Sequence, residues 1–432
     1  MNTSTKKGKG LGEYMPLAFA AGIGSMLGSG IIVGLSATIV VWQEGLGLDT
    51  TQVGLLSGIL TFAIAFGSLF GGRLADKIGR VLFFNWINLF YAIGAAICVF
   101  APNFTVLLIG LIIAGLASGA DLPVSMTIVS HDAPDEATAA QLVSTTQVFW
   151  QVGVFISFIC AFLVSAMQGA TGGRVVFAIL TVFAVIAWLW RLLSPTFRRF
   201  HEAADVRDAA RPAIVGNGKV SVTKVLFGAD KKVLLTYFLA IVIFYVGWNL
   251  LANTWGQFQT YMFSKAGAAQ SLATGLGIIL NFVTLVLNIV FASIAGGKYR
   301  NKAFFAGIVI SLIAMAAMAM GGADLWVIVG ATAFMNLGSP LAGEALYKVW
   351  TQESFPIEIR ASIQGFINGF SRLCCGLFAL ITPALVLPET IQTTMWCFFG
   401  IVIIEGIAGT IMIRAQKKYG TDEERQAHKI AA

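Results

Sequence analysis

Charge is what this chain has least of. Only 11% of its 432 residues are charged and 57% are hydrophobic, against roughly 25% charged in a soluble domain. So few charges cannot cover a water-soluble surface, and they are bunched. Tyr14 to Gln43, Val81 to Ala120, Ala137 to Gly173, Val233 to Ser264 and Ala266 to Gly297 contain no Asp, Glu, Lys or Arg. Histidine is scarce too: His131, His201 and His428 all fall in hydrophilic connections, which leaves no basis for a zinc site or a histidine proton relay within the apolar runs. The five cysteines lie inside apolar stretches without a C-x-x-C pair and read as small packing residues. No strand precedes the glycine patches Gly22-Ile23-Gly24 and Gly28-Ser29-Gly30, so they read as close-packing seams and not phosphate loops, and direct use of ATP is not supported. Neither a metal nor a cofactor is expected, and the clustered His, Asp and Ser of a catalytic site are missing. No signal-peptide apolar region precedes Tyr14, so the first span is expected to stay.

What the chain has in abundance is long apolar runs. They fall near residues 14–42, 52–74, 81–100, 104–130, 138–167, 174–193, 233–262, 271–295, 303–320, 325–350, 361–386 and 390–413. Most exceed the ~20 residues that a helix needs to cross hydrocarbon, and none shows the sustained alternation of a membrane strand. The expected fold class is therefore an all-α integral membrane protein with twelve transmembrane helices in two pseudo-symmetric six-helix bundles. With a cytoplasmic amino terminus the inner connections collect the bases, among them Lys6, Lys7, Lys9, Lys77, Arg80, Arg191, Arg198, Lys298, Arg300, Arg360 and Arg414, and the outer ones hold only Arg174 and Lys265. That asymmetry puts both termini in the cytoplasm. It also accounts for the net charge of +7 without nucleic acid, which is not expected as a partner. A hydrophilic connection, 194–232, divides an amino-terminal bundle (1–193) from a carboxy-terminal bundle (233–432), and is too short for a domain of its own. Gly71-Gly72-Arg73 recurs as Gly296-Gly297-Lys298, and Pro134 recurs as Pro356, at offsets of 225 and 222 positions. Such repeats build the two halves of many secondary transporters.

Gly72 to Arg80 spells G-x-x-x-D-K-x-G-R. Gly72 would admit a close neighbouring helix, Asp76 can accept from a helix amino terminus, and Lys77 and Arg80 anchor the inner face. With Gly79 they are candidate gating residues. A merely positive turn would explain the bases but not the acid and both glycines. In these residues the chain resembles the major facilitator superfamily. Glu353 to Arg360 gives E-x-F-P-x-x-x-R, similar to that family's sugar-porter branch, with Glu353 and Arg360 placed to pair across the turn at Pro356. The segments around Asp121, Gln147, Asn253 and Glu344 resemble bacterial inositol-type members, and the likeness runs from span one to span twelve. It implies a polyol or sugar as solute. Two departures stand out: span one has no acid, and Gly110 occupies the approximate place of the family's span-four arginine.

Asp121, Glu344, Lys348, Arg372 and Glu405 lie inside apolar runs. At ~3 kcal/mol each, five lipid-facing charges would cost about 15 kcal/mol, so they must face partners or water. Asp121 and Glu344 are 223 positions apart and so occupy equivalent places in the halves; Glu344 and Lys348 share a helix face. Two readings stand for the Asp121, Glu344, Lys348 and Arg372 network: a proton-coupling site, or a structural ion cluster that closes the inner gate. Glu405 would snorkel toward the inner surface. A polyol needs amides for its hydroxyls and an aromatic face, and Gln147, Trp150, Gln151, Trp248, Asn249, Asn253, Asn281, Asn288 and Asn336, with Glu344, are the candidate substrate-binding set. For any one amide an interhelical hydrogen bond is the competing role. The expectation is a monomeric importer of a small polar solute through the cell (inner) membrane, by proton symport or passive facilitation. Drug efflux and a non-transporting sensor fit less well.

Overall fold

Hydrocarbon gives a backbone no water to bond, so each apolar run closes its own hydrogen bonds as a helix. The computed structural model describes residues 11–133, 136–210, 226–228, 230–294, 299–422 and 424–425, and these form fourteen helices with no strand among them. They are α1 (Leu11–Leu46), α2 (Thr50–Ile78), α3 (Arg80–Val99), α4 (Phe104–Asp132), α5 (Glu136–Leu163), α6 (Thr171–Leu193), α7 (Pro195–Ala210), α8 (Lys231–Lys265), α9 (Gln270–Ile294), α10 (Arg300–Gly321), α11 (Leu325–Gly338), α12 (Glu344–Ser354), α13 (Ile357–Leu385) and α14 (Ile391–Tyr419). Ten are long and apolar enough to cross a membrane, and Val148–Leu163 and Leu325–Gly338 are shorter apolar stretches. The chain is a multi-pass membrane protein of the expected fold class. Breaks fall where polar side chains cap: the Asn103 carboxamide accepts from the Val106 amide, and the Asp324 carboxylate accepts from Trp326 and Val327.

Two features depart from the expected spans. The tenth is not one helix, because residues 339–343 form turns between α11 and α12. Pro340 lacks the amide that would continue the ladder, and glycines stand on either side of the break at 338 and 343. The second is α7, a helix within the connection after span six, which buries Phe197, Phe200 and His201. The Phe200 ring stacks on Tyr14 at 5.0 Å, and the His201 imidazole meets the Asp132 carboxylate at the end of α4.

Packing divides the chain into two compact units: Met1–Gly34, Ala63–Ser157 and Arg174–Gly216 form the first, and Leu35–Phe62, Phe158–Gly173 and Asn217–Ala432 the second. In the first, small residues let helices approach. The Ser29 hydroxyl on α1 donates to the Trp150 carbonyl on α5 (2.7 Å), and the Ser157 hydroxyl on α5 returns one to Gly30 (3.2 Å), so the Gly28-Ser29-Gly30 patch is a helix seam. Gly110 on α4 lies so close to α3 that a Cβ would stand 2.5 Å from the Cys98 sulfur. An arginine there would collide with α3. In the second unit Phe244, Phe304 and Trp350 form an aromatic cluster with centroids 5.0–6.0 Å apart.

Glu405 on α14 does not snorkel. It is 3% exposed and packs on α8, where a Cβ at Gly247 would lie 2.8 Å from its Cγ. Its Oε1 has no hydrogen-bond partner among the described residues. An unmet buried polar group costs about 1–3 kcal/mol. Glu405→Met is therefore expected to raise the unfolding temperature in detergent, and a drop would mean that the carboxyl is partnered in the folded protein.

Candidate functional site

The break in span ten creates a polar neighbourhood in the second unit. Glu344 opens α12 where the ladder restarts, and its side chain is 48% exposed while accepting an ion pair from Lys348 one turn on, at 2.8 Å. Arg372 on α13 adds its charge to both Glu344 and Tyr347. A neighbouring aromatic stack is anchored on the same break: Tyr347 lies on Tyr245 with centroids 3.8 Å apart, and Tyr245 lies on Trp248 at 5.6 Å. The Trp248 indole N–H donates to the Ser339 hydroxyl in the turn, at 2.9 Å. Gly343 is required here, since a Cβ would stand 2.6 Å from that indole nitrogen. One helical step on, the Asn249 amide donates to the Ser371 hydroxyl at 2.9 Å, and the Asn253 carbonyl oxygen accepts from Gln257 at 2.7 Å. Gln257 also donates to the Thr61 hydroxyl at 2.8 Å. Helices α8, α12 and α13 thus place Trp248, Asn249, Glu344, Lys348 and Arg372 around the break.

Sequence reasoning missed Tyr245 and Tyr347. Their three-residue spacing to Trp248 and Glu344 was the available signal, because residues three apart share a helix face. It also missed the partner of Asp121. Arg191, assigned to an inner connection, lies inside the first unit and clasps Asp121 through Nη1 (2.7 Å) and Nη2 (3.1 Å). Their side chains are 0% and 3% exposed. The remaining guanidinium donors reach the carbonyls of Ala20 and Phe84 and the Ser125 hydroxyl, the Phe84 ring lies 3.9 Å below the guanidinium, and Ser125 donates to Asp121 at 2.9 Å. A Cβ at Gly24 would collide with the Asp121 carboxylate. Every charge in this knot is answered within the first unit.

The other candidates are more scattered. Trp150 and Gln151 on α5 are half-buried, and the side chain of Gln147 lies outside the described residues. Asn281 on α9 donates to its own helix at Gly277 (2.9 Å), Asn288 is exposed and Asn336 half-buried. In the motif at the end of α2, Gly79 turns the chain at φ 109°, a conformation that favours glycine, while Lys77 and Arg80 are exposed and the Asp76 side chain lies outside the described residues. The close helix approach falls not at Gly72, where a Cβ would meet nothing within 4 Å, but at Gly71, against Ala120. Glu353 is held by Arg300 at 2.6 Å and by Gln416 at 3.1 Å; the Arg360 side chain lies outside the described residues.

Ten helices long and apolar enough to cross a membrane, with two shorter apolar stretches, define a multi-pass membrane protein. A model of the Major Facilitator Superfamily matches residues 17–379, and the chain belongs to that family. It is 30% identical over 407 residues to the minor myo-inositol transporter IolF of Bacillus subtilis, covering 91% of this chain and 89% of that one. The crystal structure of a D-xylose-proton symporter superposes with a TM-score of 0.74 at 14% identity, over 92% of this chain and 97% of the other. The inward open xylose transporter XylE of E. coli gives 0.72 at 14% identity, over 96% and 99%. Both share the fold.

Removing one partner of a buried ion pair costs about 3–5 kcal/mol, because the other charge is left unanswered. Arg191→Met is accordingly expected to lower the unfolding temperature in detergent steeply, and Asp121→Asn in the same background to restore part of the loss. Additive losses would mean that the two do not act as a pair.

Proposed function

We propose that this protein imports a small polyol or monosaccharide, inositol-like in its hydroxyl pattern, by alternating access. The observation that carries the reading is the neighbourhood of the broken tenth span, where half-buried Trp248, backed by the buried Tyr245 and Tyr347, offers an aromatic ring and Asn249, Glu344 and Lys348 offer donors and acceptors. A ring bearing many hydroxyls needs that combination. The likeness to IolF, a myo-inositol transporter by name, supports the choice of solute. The binding set extends to Gln147, Trp150, Gln151, Asn253, Asn281, Asn288 and Asn336. Residues 1–193 and 233–432 act as the two moving bundles joined by 194–232. Both termini lie in the cytoplasm of a cell whose inner membrane holds the protein as a monomer, an orientation supported by the inner concentration of Lys and Arg. Gly72, Asp76, Lys77, Gly79 and Arg80 form an inner gate with Glu353 and Arg360.

Proton symport supplies the energy in this reading. Glu344 is the exchanging group, since it is exposed and neighboured by two cations whose distance would set its hold on a proton. Asp121, already matched by Arg191, is the weaker candidate. A passive facilitator is the second reading; it is favoured by the absence of any acid between Tyr14 and Gln43 and by the complete pairing of Asp121.

In proteoliposomes, labelled cyclic polyols and monosaccharides are expected to exchange by counterflow, and Asn249→Ala to reduce exchange about tenfold, the factor for losing one good hydrogen bond. No counterflow of any polyol or sugar would overturn the solute class. An inward proton gradient is expected to drive accumulation in the parent protein but not in Glu344→Gln, which should still exchange. Equilibration without accumulation would establish the facilitator reading.

A further inference from the structure

Residues 35–62 and 158–173 belong by sequence to the amino-terminal bundle, yet they pack in one compact unit with residues 217–432. In the proposed orientation they are outer ends of that bundle. Small residues bring the backbones together there: a Cβ at Gly54 or Gly58 on α2 would collide with Leu380 on α13, and one at Gly277 on α9 would collide with the Phe158 ring on α5. Alternating access requires the two bundles to part at these seams, so in the proposed cycle the seams exist only while the outer side is closed.

A hydrogen-bond chain crosses from α2 to α8 in the same unit. The Thr61 hydroxyl donates to the Ser57 carbonyl of its own helix (2.9 Å), which leaves the hydroxyl oxygen as an acceptor. The Gln257 amide nitrogen donates to that oxygen (2.8 Å) and to the Asn253 carbonyl oxygen one turn back (2.7 Å). Both of its hydrogens are thereby used. Thr61 is 6% exposed and Gln257 3%, so in the closed arrangement no water can stand in for the hydroxyl if it is removed. Asn253 is half-buried and belongs to the proposed binding set. With its carbonyl oxygen held by Gln257, its NH2 is the end left for a solute hydroxyl.

We propose that Thr61 is a positioning residue that couples closure of the outer side to the shape of the solute site. The proposal rests on the alternating access and the binding set put forward above. Thr61 acts through Gln257 and does not touch the solute. When the outer ends meet, its oxygen takes one hydrogen of Gln257 and fixes the amide, and Gln257 in turn fixes Asn253 with the NH2 free for the solute. When the ends part, Thr61 leaves with α2, Gln257 turns to water and Asn253 is released. Asn253 therefore holds the solute most firmly while the outer side is closed, and by linkage bound solute favours closure.

The test is the distance between spin labels on Thr51→Cys and Glu389→Cys, both exposed positions, with the five native cysteines replaced by alanine. Double electron–electron resonance in lipid nanodiscs, without solute, gives the ratio of outer-open to outer-closed molecules. Thr61→Val keeps the shape but leaves a Gln257 donor unmet only in the closed state, and is expected to raise that ratio about tenfold, the factor for one such hydrogen bond. Thr61→Ser restores the acceptor and is expected to keep the parent ratio. Gln257→Leu reads the same bond from its other side, also where Thr61→Val does not fold, and is expected to raise the ratio as well. The two combined should raise it by less than the product of the single effects, because one bond is lost once. A ratio unmoved by Thr61→Val, a Thr61→Ser protein that opens as Thr61→Val does, or effects that multiply in full would overturn the role of Thr61. In counterflow of labelled myo-inositol, Thr61→Val is expected to raise the half-saturating concentration with the signal at saturation kept, and Thr61→Ser to leave both unchanged; an unmoved half-saturation would overturn the link to Asn253. If the parent exchanges no polyol or sugar, the proposed solute class fails, whereas the distance ratio still decides whether Thr61 holds the outer side closed.

Discussion

Hydrocarbon offers no hydrogen-bond partner, and every other feature of this protein answers to that constraint. It makes each apolar run a helix, and it governs the side chains as well. Hydroxyls inside the helices bond their own backbone one turn back, as Thr332 does to Ile328 and Thr351 to Tyr347. Arg191 shows the constraint at its strongest: a guanidinium far from water is tolerated because Asp121, two carbonyls, a hydroxyl and an aromatic face satisfy it on every side. Gly24 belongs to the same solution, since any side chain there would occupy the carboxylate's place.

The two halves carry their acids at equivalent sequence positions and use them differently. On α4 the helix continues past Asp121 despite Pro123, and the acid is neutralised by a buried cation. In the second half the helix breaks before Glu344, so the acid sits at a fresh helix amino terminus and stays exposed beside Lys348 and Arg372. Broken helices of this kind are how membrane transporters bring backbone dipoles and polar side chains to a solute. The acid of the first half is therefore sealed in a buried ion pair, and that of the second is left exposed.

The helix ends around Glu353 in the second unit show a related economy. Arg300, in the segment that echoes the Gly72 to Arg80 motif, ties α10 to Glu353 on α12, and Gln416 ties α14 to the same carboxylate. Gln416 also reaches the Ser354 hydroxyl, and Arg425 the Ser354 carbonyl. An exposed ion pair adds only about 0–1 kcal/mol, so the value of this network is positional: it fixes three helix ends around one carboxylate.

The sequence by itself determined that the chain is a multi-pass bundle of apolar helices, because apolar length, caps and turn residues are local properties of the chain. Even Pro340 with its flanking glycines carried the signal for the broken span. Tertiary structure alone decided which polar side chains meet. Nothing in the sequence distinguishes Asn249, which crosses to Ser371, from Asn281, which turns back to its own helix, and nothing moves Arg191 from a connection to the centre of a buried knot. Those outcomes depend on how each helix is rotated and which neighbour it faces, and that is set by contacts between residues far apart in the chain, 122 positions for Asn249 with Ser371 and 70 for Arg191 with Asp121.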